Sequence, residues 1–291
     1  MANPIIERIR QKIPYIKRLH REIDALRVKL ATAEAAPELK PVMGSSATEI
    51  AEQFRAFLRH LQPHDVPGSH KIRMGAERDG GYVMLDDFGP ARNALSLGIG
   101  SDVSWDSDMA ARGFQVFQYD PTVAGSPKAN PRFLFHRTRV VGRPEAPGDV
   151  TLPAIMGRPE LATDQEVIAK IDIEDAEWDV LARTDRASLM RIRQLAVELG
   201  EIRRFIEPEW RAMMMAAVTN LASTHACIHI HGNNWGPFTV VGGIPFPNYV
   251  EVTFVRRTDY ALIPSSATFP MEIDRPNNPR KPDLFLGRWD Y

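Results

Sequence analysis

LSLGIGSDVSWDSDMAARG, residues 95–113, decides the fold. Together with the two residues before it, the run NALSLGIG reads as a buried β-strand, and a helix near Ser104 to Arg112 follows, with Gly98 and Gly100 at the junction. A strand that enters a helix through glycines lets a ligand approach the backbone without meeting a Cβ. Asp120 closes the next β-rich run, QVFQYD, twenty residues after Gly100, where a carboxylate can accept hydrogen bonds from both hydroxyls of a ribose. The combination indicates a nucleoside site, with Gly98, Gly100, Ser101, Asp102, Asp120 and Pro121 as its candidate residues. Glycine also serves strand-to-helix turns for steric reasons alone, and both uses remain open here.

Outward from this junction, β-rich runs alternate with helical ones: RFLFHRTRVV, EVIAKIDI, a helix from Ala176, IRQLAVEL, a helix near Glu209 to Ser223, and ACIHIH. Such alternation predicts an α/β fold, a Rossmann-like, doubly wound and mostly parallel sheet, with ligands at the carboxyl ends of its strands. A last run, YVEVTFVRR, follows a Gly/Pro-rich connection with no evident helix and fits a C-terminal antiparallel strand beside the sixth. Residues 45–264 are assigned to this domain, with a helix over Thr48 to Gln62 ending before Pro63, and 265–291 to an extended tail lying on it.

Residues 1–40 read as a separate helical arm. Ile5, Ile9, Ile16, Leu19, Ile23, Leu26 and Leu30 step by fours and threes, with Lys12 standing in at one expected position, a coiled-coil-like seam that Pro14 interrupts, so the longer helix begins near Tyr15. Eight Lys or Arg against three Asp or Glu between residues 7 and 29 make the arm basic. Its narrow seam favours a homo-oligomer over a membrane surface, and an arm folded back on its own domain is the alternative. No span of about 20 apolar residues suggests an integral membrane segment. The whole chain of 291 residues has 36 Lys and Arg against 37 Asp and Glu, which argues against nucleic acid as partner. One cysteine, Cys227, excludes an intramolecular disulfide and a Cys-rich zinc site, and a cytoplasmic protein is expected.

Two ligands share the strand-turn-helix geometry. A dinucleotide rests its pyrophosphate on the helix N-terminus and needs a third glycine, where this chain has Val103, and the acids Asp102, Asp106 and Asp108 would repel it. S-adenosylmethionine carries an ammonium and a sulfonium and tolerates such acids, although Asp108 is better explained as complementing the helix dipole.

The succession LGIGSDVSWD, YDPT, KIDIEDAEWDVL, HIHGNN and YVEVTFVRR resembles the FkbM-type and related S-adenosylmethionine-dependent methyltransferases of bacteria, over roughly Lys71 to Arg257. KIDIEDAEW is similar to that family's K-(I/M)-D-(I/V)-E-G-x-E junction, with Asp175 in place of the glycine. The resemblance implies methyl transfer to oxygen and a cofactor on Gly98, Gly100 and Asp120; it also places GAERDGGYVM near the cofactor mouth.

Three strand ends carry ionisable groups: Asp172 with Glu174, Glu198, and His231. His231 is the expected base, since an unperturbed imidazole titrates near working pH, with Asp172 and Glu198 as the other catalytic candidates and Asp172 also at the cofactor. His229 shares its face and is assigned a structural role. Asp172, Glu198 and His231 could instead hold Mg²⁺ or Mn²⁺, with Asn234 nearby, or the carboxylates could simply accept hydrogen bonds. Asp79, Tyr82, Glu174, Asn233 and Asn234 are candidate substrate contacts, although Asp79-Gly80-Gly81 is also an ordinary hairpin turn. The sequence thus points to an O-methyltransferase acting on a small hydroxylated acceptor such as a sugar or glycan intermediate. An NAD-dependent oxidoreductase and a non-catalytic nucleoside-binding or assembly module are the alternatives.

Overall fold

The computed structural model describes residues 47–162, 166–174 and 176–291. The arm over 1–40, its seam and its oligomeric role, and Asp175, lie outside the described residues. Helix α1 (Ala47–His60) buries Ile50, Ala51, Phe54, Phe57 and Leu58, the spacing that makes one apolar face, and stops before Pro63. A short strand β1 (His64–Asp65) leads to the hairpin of β2 (Lys71–Met74) and β3 (Tyr82–Leu85). The parallel alternation then runs β4 (Asn93–Leu97), α2 (Ser104–Ala111), β5 (Gln115–Tyr119), β6 (Phe133–His136), α3 (Leu152–Met156), α4 (Pro159–Ala162), β7 (Val167–Ile171), α5 (Glu177–Arg183), α6 (Arg186–Met190), β8 (Ile192–Leu199), α7 (Pro208–Ala222) and β9 (His225–Gly232). A hairpin of β10 (Phe238–Val241) and β11 (Ile244–Pro247) precedes β12 (Val250–Arg256).

Seven strands form the central sheet in the order β6-β5-β4-β7-β8-β12-β9. All neighbours are parallel except β12, which runs antiparallel between β8 and β9. This is the Rossmann-like arrangement read from the alternation. Strands such as β7 and β12 are buried at every position because both faces are covered. On one face α1, α5 and α7 pack through Phe54, Phe57, Trp178, Leu181, Met214 and Val218. On the other, α2 and the β2–β3 hairpin pack Trp105, Met109, Met74, Tyr82 and Met84 against Ala94, Ile168 and Ala196. Polar side chains rising from the sheet fix the hairpin: Gln194 exchanges hydrogen bonds with the Leu85 backbone, and Thr253 Oγ1 donates to Val83 O at 2.6 Å.

Two local readings differ from the structure. RFLFHRTRVV yields a strand only over Phe133–His136, at the sheet edge, after which Val140 makes an isolated bridge to Val150. The connection before YVEVTFVRR holds a hairpin turning at Gly242 and Gly243, both at positive φ. Its paired glycines were the available signal. The segment after Ser265 buries Phe269 and Trp289 in the core and runs back over β9 and the amino end of β12. No helix among the described residues is long and apolar enough to cross a membrane.

Candidate active site

Above the carboxyl ends of β4, β5 and β7 lies a cleft of about 700 Å³ lined by Gly98, Gly100, Ser101, Asp102, Asp120 and Pro121, with Arg78, Asp79, Lys170, Asp172, Glu174, Trp235 and Asn277 among its other walls. The two glycines have different reasons. A Cβ on Gly98 would stand 1.6 Å from the carbonyl oxygen of Asp172, because β7 crosses the turn that closely, and φ there is +79°. Gly100, at φ +47°, has nothing within 4 Å of such a Cβ and faces open space. Gly98 is therefore a packing glycine and Gly100 leaves room in the cleft. Lys170, buried in the strand, donates to Gly98 O at 2.5 Å and lies 3.7 Å from an Asp172 oxygen, so it ties the turn to β7.

Asp120 is already engaged. One carboxylate oxygen accepts from the amides of Ile99 at 3.0 Å and Gly100 at 2.9 Å; the other accepts from Thr122 N at 2.7 Å and Thr122 Oγ1 at 2.6 Å. Burial alone would raise its pKa, but the bonds from Thr122 and the turn amides hold it below the usual value. It is thus a fixed anion that shapes the glycine turn, and a ribose would share acceptor capacity with Thr122. The helix acids also have assigned work. Asp102 caps Ser104 N at 2.8 Å, Asp108 accepts from Gly75 N at 2.8 Å, and Asp106 is buried beneath Ser96 and Gln118. Asp108 therefore anchors the hairpin.

Strand register places four ionisable side chains in one row: Glu251 of β12 lies opposite both Glu198 of β8 and His231 of β9, and Asp172 follows the β7 residue paired with Val197. The hairpin loop adds Asp79, whose carboxylate lies with those of Glu198 and Glu251 so that their oxygens are within 4.8 Å of one another. Burial, then the charges of Asp172 and Glu251, push the Glu198 carboxyl well above its usual value, while Asn233 Nδ2 donates to it at 2.9 Å. Asp79 is raised as well, by burial first. Tyr82 OH, buried below the cleft, donates to Asp172 Oδ2 at 3.0 Å.

His231 departs from its expected role. Its Nδ1 is 3.1 Å from Glu251 and its Nε2 3.0 Å from Asp283 of the tail. Burial works against its charge, but hydrogen bonds to those two carboxylates raise the pKa to about 10. At neutral pH the ring is a cation with both nitrogens donating, which neither removes a proton nor ligates a metal in this arrangement. His229 is buried, with Nε2 2.7 Å from Asp274. Of the substrate candidates, Asp79 and Glu174 line the cleft. Asn234 instead holds the tail, bonding Asn278 and Pro282, and Asn233 spans Glu198 and the Trp235 amide. Glu174 sits at φ +57°, a left-handed position that costs a non-glycine residue about 1–2 kcal/mol.

Sequence reasoning passed over Lys170, Glu251, Asn277 and Asp283. Glu251 carried a signal, a lone acid inside an otherwise apolar run; Asn277 and Asp283 lie in the proline-rich tail, where no periodicity distinguishes one polar residue from another.

No family model matches the chain, and no curated protein matches it. Among solved structures it is similar to two point mutants of the 16S rRNA (adenine(1408)-N(1))-methyltransferase from Catenulisporales acidiphilia. One is 12% identical, covers 64% of this chain and 98% of its own, and has a TM-score of 0.29; the other is 14% identical, covers 60% and 95%, with a TM-score of 0.30. TrmN from Thermus thermophilus is 15% identical over 57% of this chain and 44% of its own, with a TM-score of 0.28. Likeness at this level carries no argument about chemistry.

Proposed function

We propose that this chain is an S-adenosylmethionine-dependent methyltransferase that methylates a hydroxyl of a small acceptor, a sugar or glycan intermediate being the kind the site suits. The observation that carries the reading is the charge of the cleft. Asp79, Asp102, Asp120, Asp172 and Glu174 line it with Arg78, Arg139 and Lys170 around a glycine turn. That surplus of acid favours a ligand bearing a sulfonium and an ammonium. At the helix N-terminus that would receive a pyrophosphate, the Asp102 carboxylate accepts from Ser104 N, which weighs against the nicotinamide alternative. The same carboxylates disfavour a polyanion such as a nucleic acid close to the strand ends. The likeness to FkbM-type enzymes agrees with this reading and rests on the quoted motifs alone.

In this scheme Gly100 leaves room for the cofactor, and Asp120 and Pro121 flank its nucleoside. Asp172, held by Tyr82 and Lys170 at the cleft wall, takes the acceptor proton as its oxygen attacks the methyl group. A bound S-adenosylmethionine would supply the methyl group, its sulfur keeping the electron pair of the broken carbon–sulfur bond, and would leave as S-adenosylhomocysteine. Because His231 holds its proton at neutral pH, the base role passes from it to Asp172. Titration calorimetry with S-adenosylhomocysteine against NAD tests the reading: binding of the first alone is expected, and binding of NAD alone overturns it.

A further inference from the structure

Behind Asp79 and Asp172 the site holds more acid than methyl transfer needs. Asp79, Glu198 and Glu251 come from three separate elements, the hairpin loop, β8 and β12, and their oxygens lie within 4.8 Å of one another. The nearest cations are already committed: Lys170 faces Asp172, and His231 is shared by Glu251 and Asp283. Two negative charges at about 4 Å repel by roughly 4 kcal/mol at an effective dielectric of 20, and His231 serves only Glu251 of the trio, so Asp79 and Glu198 still need a proton or a cation between them.

A second observation separates these outcomes. Asn277 is 1% exposed, and its side chain stands against the trio, with Nδ2 3.1 Å from Asp79 Oδ1 and 2.5 Å from Glu251 Oε1. Its Oδ1 is buried with no hydrogen-bond partner. An amide with an unused oxygen, packed on two of three clustered carboxylates, supplies the fourth oxygen of a hard-cation site when it turns over. We infer that Asp79, Glu198, Glu251 and Asn277 form a binding site for a divalent cation of the Mg²⁺, Mn²⁺ or Ca²⁺ class. Its ligands differ from the Asp172, Glu198 and His231 set expected from the sequence, since His231 has no free ring nitrogen. Asp79 belongs also to the cleft wall, so, on the methyltransferase reading, the cation borders the acceptor and favours one with adjacent oxygens that can share it.

The test uses the full chain after chelator treatment and dialysis, with Mn²⁺ as probe and the free-ion electron paramagnetic resonance signal as readout. One Mn²⁺ per chain is expected, with affinity lowered at least tenfold in Glu198→Gln and in Glu251→Gln and unchanged in Glu209→Gln, an exposed acid elsewhere. Trp235 lines the cleft with Asp79, so Tb³⁺ bound here should glow when tryptophan is excited, and Trp235→Phe should dim it severalfold while Mn²⁺ uptake persists. Should one glutamine variant fail to fold, the other and Asn277→Ala carry the comparison. No uptake at millimolar Mn²⁺, or uptake indifferent to all three substitutions, overturns the site. Calorimetry with S-adenosylhomocysteine on the same metal-free protein keeps the readings apart: cofactor binding without Mn²⁺ uptake overturns the cation site alone, and the reverse overturns the methyltransferase alone.

Discussion

Replacing each cleft glycine by alanine separates the two purposes that a glycine turn can serve. In Gly98→Ala the new methyl would stand 1.6 Å from Asp172 O and 2.6 Å from its carbonyl carbon, both backbone atoms that cannot rotate away. The left-handed backbone at φ +79° costs a residue with a Cβ about 1–2 kcal/mol, and forcing a methyl into packed surroundings adds about 1–3 kcal/mol. A total of about 2–5 kcal/mol follows, a fall in Tm of roughly 10 °C for a domain of this size. Gly100→Ala pays only the backbone cost, about 1–2 kcal/mol, because nothing lies within 4 Å of its Cβ. Gly100 lines the cleft, so the added methyl should weaken S-adenosylhomocysteine binding more than it lowers stability. Urea unfolding and calorimetry on both variants provide the check. A Gly98→Ala protein within 1 kcal/mol of the parent, or a Gly100→Ala protein less stable than Gly98→Ala, would refute the assignment of one glycine to packing and the other to the ligand.

Asp120→Ala should weaken S-adenosylhomocysteine binding by about 1.5–3 kcal/mol, because it frees the Ile99 and Gly100 amides that shape the turn; unchanged calorimetric affinity in a folded variant removes Asp120 from the site. Its pKa is depressed in the folded state, so its stabilisation is present above the unfolded value near 3.8 and is lost as pH falls through the folded one. His231 behaves oppositely: with a folded pKa raised to about 10, its contribution is complete below pH 6.5 and disappears as pH rises toward 10. Urea midpoints should decline across that window, and His231→Gln should flatten the decline; an equal slope in both proteins contradicts the ion triad with Glu251 and Asp283. Glu174→Gly should raise stability by about 0.5–1 kcal/mol by relieving the left-handed strain, yet lower cofactor affinity; a drop in Tm speaks against strain at this residue.

The sheet was legible because it is built from repetition. Buried runs such as VIAKI and VEVTFVR announce strands covered on both faces, and the helical runs between them mark the crossovers. The edge strand near Phe133 was overestimated, since an edge needs fewer paired residues than an apolar run of that length suggests. Site residues divide along the same line. Gly98, Asp120 and Asp172 follow strand ends and were found at the cleft, although the sequence did not show that Gly98 answers to the Asp172 backbone. His231 was found at its strand end too, but its protonation depends on Glu251 and Asp283, twenty and fifty-two residues away. A residue's type gives its reference pKa; its neighbours across the sheet decide whether it can act as a base.

The cleft is a surface on which distant parts of the chain are made interdependent. The hairpin loop contributes Asp79, the tail Asn277 and Asp283, and each bonds a group from the sheet or from the other. Asn277 joins the loop carboxylate to Glu251, while Glu251 holds the ring that also binds Asp283. Neutralising any one of these carboxylates alters the field on the remaining ones, so the charge state of the site and the attachment of the tail are linked quantities. Burial first, and then the neighbouring carboxylates, raise Glu198; a cationic ligand near Asp79 or Asp172 would offset the second part, and by the same linkage should bind more tightly as Glu198 loses its proton. Affinity for such a cationic ligand is therefore expected to rise with pH until the ion triad at His231 loosens and the tail releases Asn277.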